Sequence, residues 1–216
     1  MPGDFDLYSI RQFLPMTPEA YFRLFERLNH ALWPFEVVAF IALLAVPILL
    51  RRGNGATAGV LCGLCWFWVA AVFQFRLHAE LHWAALYLGW VFIVQGLMLA
   101  VAGARGRLEA VSGVRALVGL GLMVAAFIVY PIMAPLTGRS WQGVEIAGTA
   151  PDPTAMVTLG ALLLTRRVPW LLVPVPVLWC LYSGVTWWAL GWLPGLFNIG
   201  VVLAFLAVLP LRRPTN

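Results

Sequence analysis

From residue 33 onward the chain is a succession of apolar runs, most of them about as long as a hydrocarbon core is thick and each closed by a short polar or Gly/Pro-rich break. A bilayer core of ~30 Å takes about 20 helical residues, and every backbone polar group inside it must be satisfied within its own element. Runs of this kind point to one fold class, an all-α polytopic membrane helix bundle. Composition agrees: of 216 residues 62% are hydrophobic and 11% charged, against about 25% charged in an ordinary soluble domain. Spans are predicted near 33–50, 56–75, 83–104, 116–137, 153–165, 168–190 and 193–211, which makes seven transmembrane helices.

The fifth run, TAMVTLGALLL, is short, because ~13 helical residues rise only about 20 Å and can return as a re-entrant hairpin. The arginines decide. If all seven runs cross, Arg51, Arg52, Arg105, Arg107, Arg115, Arg166, Arg167, Arg212 and Arg213 share one face. Arg11, Arg23, Arg27, Arg76 and Arg139 take the other. The positive-inside rule puts the richer set in the cytoplasm, so the expected topology is N-out/C-in in a bacterial inner membrane. A hairpin would reverse the imbalance. Glu109 is then the one acid inside.

Ahead of the first span, TPEAYFRLFERLNHALWP reads as an amphipathic helix in the interface plane, with Thr17 as cap and Pro18 at the first helical position. Tyr21, Phe25, Leu28 and Leu32 form its apolar stripe, and Arg23, Glu26, Arg27 and His30 its polar one. Its partner is either lipid or the rim of the bundle. The expected organisation is thus a tail and interfacial helix at 1–32, a seven-helix transmembrane domain at 33–211 and a cytoplasmic tail at 212–216. MPGDFDLYSIRQF is acidic and has no apolar core with a small-residue cleavage site, so no signal peptide is expected. Trp33, Trp83, Trp141, Trp187, Trp188 and Trp192 suit an outer aromatic belt.

All 14 basic residues are Arg. Without a lysine amine, neither retinal nor pyridoxal phosphate can be held as a Schiff base. The pI of about 9.6 comes from arginines paired at helix ends rather than from a basic face with interleaved aromatics, which argues against nucleic acid. Cys62, Cys65 and Cys180 lie inside apolar runs and do not form a secreted disulfide framework. Cys62 and Cys65 share a helix face at i, i+3, where packing and a soft-metal or redox pair are the two readings. Gly59 and Gly63 on the same span have the small-xxx-small spacing of close helix packing.

Two stretches, TPEAYFRLFERLNHALWP at 17–34 and YPIMAPLTGRSWQGVEIAGTAPDPTAMVTLGALLL at 130–164, resemble an uncharacterised family of short bacterial integral membrane proteins, a domain of unknown function. The resemblance implies the fold and carries no activity. The sequence departs from the family's usual pattern in three places: Glu36 where an amide is more usual, Asp152 between Pro151 and Pro153 where a cysteine is more usual, and HAELH at 78–82 in place of a more apolar segment. All three add ionisable groups to the same expected outer face.

That face also receives every histidine of the chain. His30, Glu36, His78, Glu80, His82 and Asp152 together offer the nitrogen and oxygen ligands that Zn²⁺, Cu²⁺, Mn²⁺ or Fe²⁺ accept. On a helix His78 and His82 share a side and need a third ligand such as Glu36 or His30, whereas in an extended segment His78, Glu80 and His82 suffice. Against this stands the plain alternative that a short external connection next to Trp83 is simply polar. The metal reading gives a function in binding or handling a divalent ion. A membrane enzyme in which the ion activates water, with Arg139 steadying an anion, is a second reading. An accessory subunit that packs against a membrane partner, or a homo-oligomer, is a third. The span interiors offer only groups such as Gln74, Gln95, Tyr130, Tyr182, Ser183, Thr186 and Asn198, which argues against a charged midplane site. Pro169, Pro174 and Pro176 are expected to break the sixth span and free carbonyls. The loop at 138–153 is expected to be a folded lid, either closing over the histidines or merely connecting helices.

Overall fold

A computed structural model describes residues 17–210. All of its regular structure is helical, and only two isolated bridges interrupt it. Helix α1 (Pro18–Leu32) starts as expected, with Thr17 Oγ1 accepting from the Ala20 N–H at 3.3 Å. It meets the next helical segment, α2 (Phe35–Leu44) and α3 (Val46–Arg51), at 98°, and so lies across the end of the bundle. The whole predicted stripe, with Leu24, is buried, and its partner is the bundle itself. Phe25 stacks on Phe73 at 5.4 Å, and Tyr21 meets Trp187 edge-on at 6.3 Å.

Helix α4 (Gly55–Trp68) runs on through a nine-residue π-helical stretch, Val69–Leu77, and a 3₁₀ turn, His78–Glu80. It packs along α5 (Ala85–Ala104) at backbone contact distance: a Cβ on Gly59 would sit 2.6 Å from the Leu99 carbonyl oxygen, and one on Gly63 2.5 Å from that of Gly96. The small-residue spacing therefore marks a real contact. Cys62 and Cys65 are buried free thiols in the same wall. Helix α6 (Val114–Val124) continues through a π-helical turn, Ala125–Val129, into α7 (Tyr130–Leu136). Four helical stretches, 55–80, 85–104, 114–136 and 170–189, are long and apolar enough to cross a membrane, and the bent pair of α1 with α2–α3 passes the same test jointly. Their outward residues include Ile41, Leu64, Trp90, Leu117 and Leu178, all well exposed. A water-soluble bundle would turn polar residues outward at those positions.

Helix α8 (Pro151–Leu163) is the centre of the bundle. All 13 of its residues are buried. Its first turn touches Tyr130, while its last residues lie against the α6 start, where the Arg115 guanidinium donates to the Leu163 and Thr165 carbonyls. The segment is therefore one continuous helix, not a hairpin, and it covers 151–163 rather than 153–165. Beyond it, a 3₁₀ turn at Trp170–Leu172 leads into α9 (Pro174–Ala189), followed by α10 (Gly195–Val208). Pro176 has no N–H for the Leu172 carbonyl, and Gln95 Nε2 fills the vacancy at 3.0 Å.

This threading sorts the arginines by end. Arg51, Arg52, Arg105, Arg107, Arg115, Arg166 and Arg167 gather where the 104–113 connection meets residues 164–169 through the Ala110–Thr165 bridge. Arg23, Arg27, Arg76 and Arg139 lie at the end covered by α1. Arg11, Arg212 and Arg213 fall outside the described residues, as do the predicted tails.

Candidate functional site

The six ligand candidates share one end of the bundle but not one site. Among the described residues no group of three His, Cys, Asp or Glu side chains is placed to hold a metal ion. His30 is exposed on α1. Glu36 is buried on α2, with its Oε1 unpartnered. His78 is fully buried, with Nδ1 at 2.9 Å from Gln74 Oε1 and its ring packed on Phe73 and Tyr21. Glu80 is exposed and paired with Arg27 at 2.6 Å. His82 Nδ1 accepts from the Ala84 N–H at 3.0 Å, closing its own turn. The two imidazoles lie 6.0 Å apart, centroid to centroid, with no carboxylate completing the set. The HAELH segment is neither a regular helix nor extended but a 3₁₀ turn, so neither ligand geometry forms.

Asp152 is the residue whose surroundings differ most from expectation. Instead of edging an external cluster, it lies in the first turn of the enclosed helix α8 and is only 1% exposed. Four donors converge on it. Oδ1 accepts from Trp179 Nε1 at 2.6 Å, and Oδ2 from Ser183 Oγ at 2.5 Å, from Asn198 Nδ2 at 2.9 Å and from the Tyr130 hydroxyl. These groups come from α7, α9 and α10, so one carboxylate ties three neighbouring helices to the central one. Tyr130 immediately follows the π-helical turn of the α6–α7 helix, a local widening of the kind that recurs at functional positions.

The other side of Tyr130 faces a second acid. Its oxygen lies 3.2 Å from Glu145 Oε2, and Glu145 Oε1 accepts from Arg139 Nη1 at 3.1 Å. Both partners are brought in by the loop between α7 and α8, which folds onto α1: Asn29 Nδ2 donates to the Gln142 and Val144 carbonyls at 2.7 Å each, and Ser140 donates to Glu26 at 2.6 Å. The loop is a folded plug, as its Gly and Pro content predicted, but it closes over Tyr130 and Asp152 rather than over the histidines. The Arg139 guanidinium sits 4.3 Å from the Phe22 ring centroid and 5.0 Å from that of Trp187, and its Nη2 donates to the Gly143 carbonyl at 2.6 Å. Stacking of this kind suits a weakly hydrated cation held out of water.

The result is a linear buried array: Arg139, Glu145, Tyr130, Asp152, Ser183, Asn198. An open cleft of about 370 Å³, bordered by Phe22, Arg23, Glu26, Arg139, Ser140 and Trp192, leads to its arginine end. Burial pushes the Glu145 carboxyl up to about 8, with the Asp152 charge adding to the rise and Arg139 opposing it.

A model described as a family of unknown function, DUF6064, matches residues 18–207. The chain belongs to that family. No curated protein and no solved structure matches it. Membership agrees with the resemblance carried by residues 17–34 and 130–164, and those two stretches are also the ones that meet in space. Within the DUF6064 region, the first forms the α1 cover, and the second supplies Tyr130, Arg139, Glu145 and Asp152. Sequence reasoning missed this array because it placed Asp152 at the rim. A signal was present: residues 154–164 are apolar on every side, and a helix without a polar face is surrounded by protein or lipid, so an acid in its first turn is buried with it.

Proposed function

We propose that this member of the family is a proton-handling protein of the bacterial inner membrane, a seven-crossing bundle with N-out/C-in topology that binds and releases a proton at the Glu145–Tyr130–Asp152 array. One observation carries the reading. Tyr130 has one hydroxyl hydrogen and two carboxyl neighbours, so it can donate to only one of them. The other contact becomes a hydrogen bond only if that carboxyl is itself protonated and donates to the tyrosine oxygen. The array then holds one proton for two carboxyls, which with the Arg139 cation makes the enclosed charge zero, the arrangement that costs least away from water.

Two states follow. In one, Glu145 donates to Tyr130 and Tyr130 donates to Asp152. In the other, Asp152 donates to Tyr130 and Tyr130 donates to Glu145. A concerted shift of two hydrogens interconverts them without moving a heavy atom far. The cleft at Arg139 supports access from the α1 end. Towards the arginine-rich end, the hydroxyls of Thr154 and Thr158 on α8 and of Thr165 just beyond it donate to nearby backbone carbonyls, which supports a one-sided site over an open wire. The class of chemistry is reversible proton binding, coupled to a change in the loop that carries Arg139 and Glu145, rather than bond cleavage.

Infrared difference spectroscopy on purified protein tests this directly. A protonated-carboxyl stretch is expected at neutral pH that disappears on alkalinisation, is absent in Glu145→Gln, and shifts in Tyr130→Phe as the two acids uncouple. Absence of any titrating carboxyl band between about pH 5 and about pH 9 would overturn the reading.

A further inference from the structure

At the end opposite the proton-handling array, the connection after α8 and the connection after α5 enclose an open cleft of about 450 Å³ lined by Arg107, Glu109, Arg166, Arg167, Val168 and Pro169. Three arginines and a single acid are among its lining residues. Among the described residues, the side chains of Arg107 and Arg167 make no hydrogen bond or ion pair, and both residues are exposed. The backbone beneath them is fixed: the Arg166 N–H donates to the Glu109 carbonyl at 2.5 Å, and the Val111 N–H to the Leu164 carbonyl at 2.8 Å. Immediately beyond Pro169, Trp170 and Leu171 turn outward, 67% and 72% exposed. A basic cleft thus adjoins an apolar pair that no described residue covers.

We infer that this cleft is a binding site for the phosphate headgroup of an anionic phospholipid, with Arg107 and Arg167 gripping the phosphate and Trp170 and Leu171 seated against the glycerol and upper acyl chain. Guanidinium forks match phosphate oxygens two at a time. The amphipathic Trp ring favours the level at which headgroup gives way to hydrocarbon. A free phosphate would satisfy the arginines but leave Trp170 and Leu171 without a partner, so the pairing of charge with exposed apolar surface selects the lipid. Basic clefts between helix ends are a recurrent mode of anionic headgroup recognition.

The test uses intact protein in nanodiscs of phosphatidylcholine containing a minority of spin-labelled phosphatidylglycerol or, separately, spin-labelled phosphatidylcholine. The wild-type protein is expected to immobilise the anionic probe preferentially. Arg107→Ala/Arg167→Ala is expected to cut that preference roughly five-fold for each guanidinium removed, with thermal unfolding unchanged. Arg52→Ala/Arg105→Ala, which removes the same charge from the same end outside the cleft, is expected to leave most of the preference intact. Equal immobilisation of both probes by wild-type protein overturns the site. An equal loss in the two double variants reduces it to diffuse surface charge and also overturns it. Displacement of the anionic probe by millimolar inorganic phosphate would show that a soluble anion is the ligand, and would overturn the lipid assignment.

Discussion

Replacing Asp152 with asparagine keeps the volume of the side chain and removes one oxygen acceptor, so its cost follows from the hydrogen-bond geometry. In the better orientation the amide oxygen takes the place of Oδ2 and keeps Ser183, Asn198 and Tyr130. The amide nitrogen then faces Trp179 Nε1, which stands 2.6 Å from the oxygen it replaces, and two donors meet. A buried donor left unpaired costs about 1–3 kcal/mol, and hydrogen bonds to a charged acceptor exceed neutral ones by roughly 1 kcal/mol each. The expected destabilisation is about 4–6 kcal/mol, or a fall in Tm on the order of 10 °C for a chain of this length. Thermal unfolding in one detergent at fixed pH reads it. The decisive comparison is a double-mutant cycle with Trp179→Phe, which removes the opposing donor: in that background Asp152→Asn should cost at least about 1 kcal/mol less. Equal costs in the two backgrounds would refute the account, because the Trp179 contact would then not be the reason the carboxylate is needed.

Raising the Glu145 carboxyl from about 4.5 to about 8 means that the folded chain holds a proton the unfolded chain releases. Wild-type stability should therefore fall as pH rises from about 4.5 to about 8, by up to a few kcal/mol, and Glu145→Gln should flatten that slope in a pH series of unfolding curves. Gly160→Ala would place a Cβ 2.6 Å from the Gly119 carbonyl oxygen and should lose about 1–3 kcal/mol by forcing α6 from α8. Gly121→Ala, with open space around the position, should leave the melting temperature unchanged or raise it. Arg27→Ala breaks an exposed ion pair and should leave the melting temperature within error of wild type. Elemental analysis separates the histidine reading from the carboxylate one: the dispersed positions of His30, Glu36, His78, Glu80 and His82 lead us to expect no stoichiometric metal, and an ion lost on His78→Ala/His82→Ala would revive the metal site.

Hydropathy alone located every long helix, because a 20-residue apolar run is a property of the chain and not of its neighbours. The α1 stripe was legible for the same reason: Tyr21, Phe25, Leu28 and Leu32 recur at helical spacing whatever they face. That they face Trp187 and Phe73 rather than lipid is a tertiary fact, and no local pattern carries it. The free carbonyl ahead of Pro176 was legible, whereas its partner, Gln95, lies 77 residues away from Leu172. The candidate site divides along the same line. Tyr130, Ser183 and Asn198 stood out as polar groups inside apolar runs. Arg139 and Glu145 lie in a loop whose Gly and Pro content marked it as a folded lid, but nothing in that segment says that it seats on α1 over Tyr130 rather than over the histidines. The π-helical stretches before His78 and Tyr130 leave no mark on the hydrophobic period, and they redirect the side chains that follow.

Helix α8 has no outside. Its neighbours each keep a stripe on which one aliphatic side chain can replace another at little cost, so substitutions in them should be tolerated with helical periodicity. Along 151–163 that rhythm should vanish, and every position should resist change in size as well as in polarity. A saturation scan would then show thirteen consecutive intolerant sites flanked by helices that alternate, and the segment that looked too short to cross a membrane would be the one least free to drift.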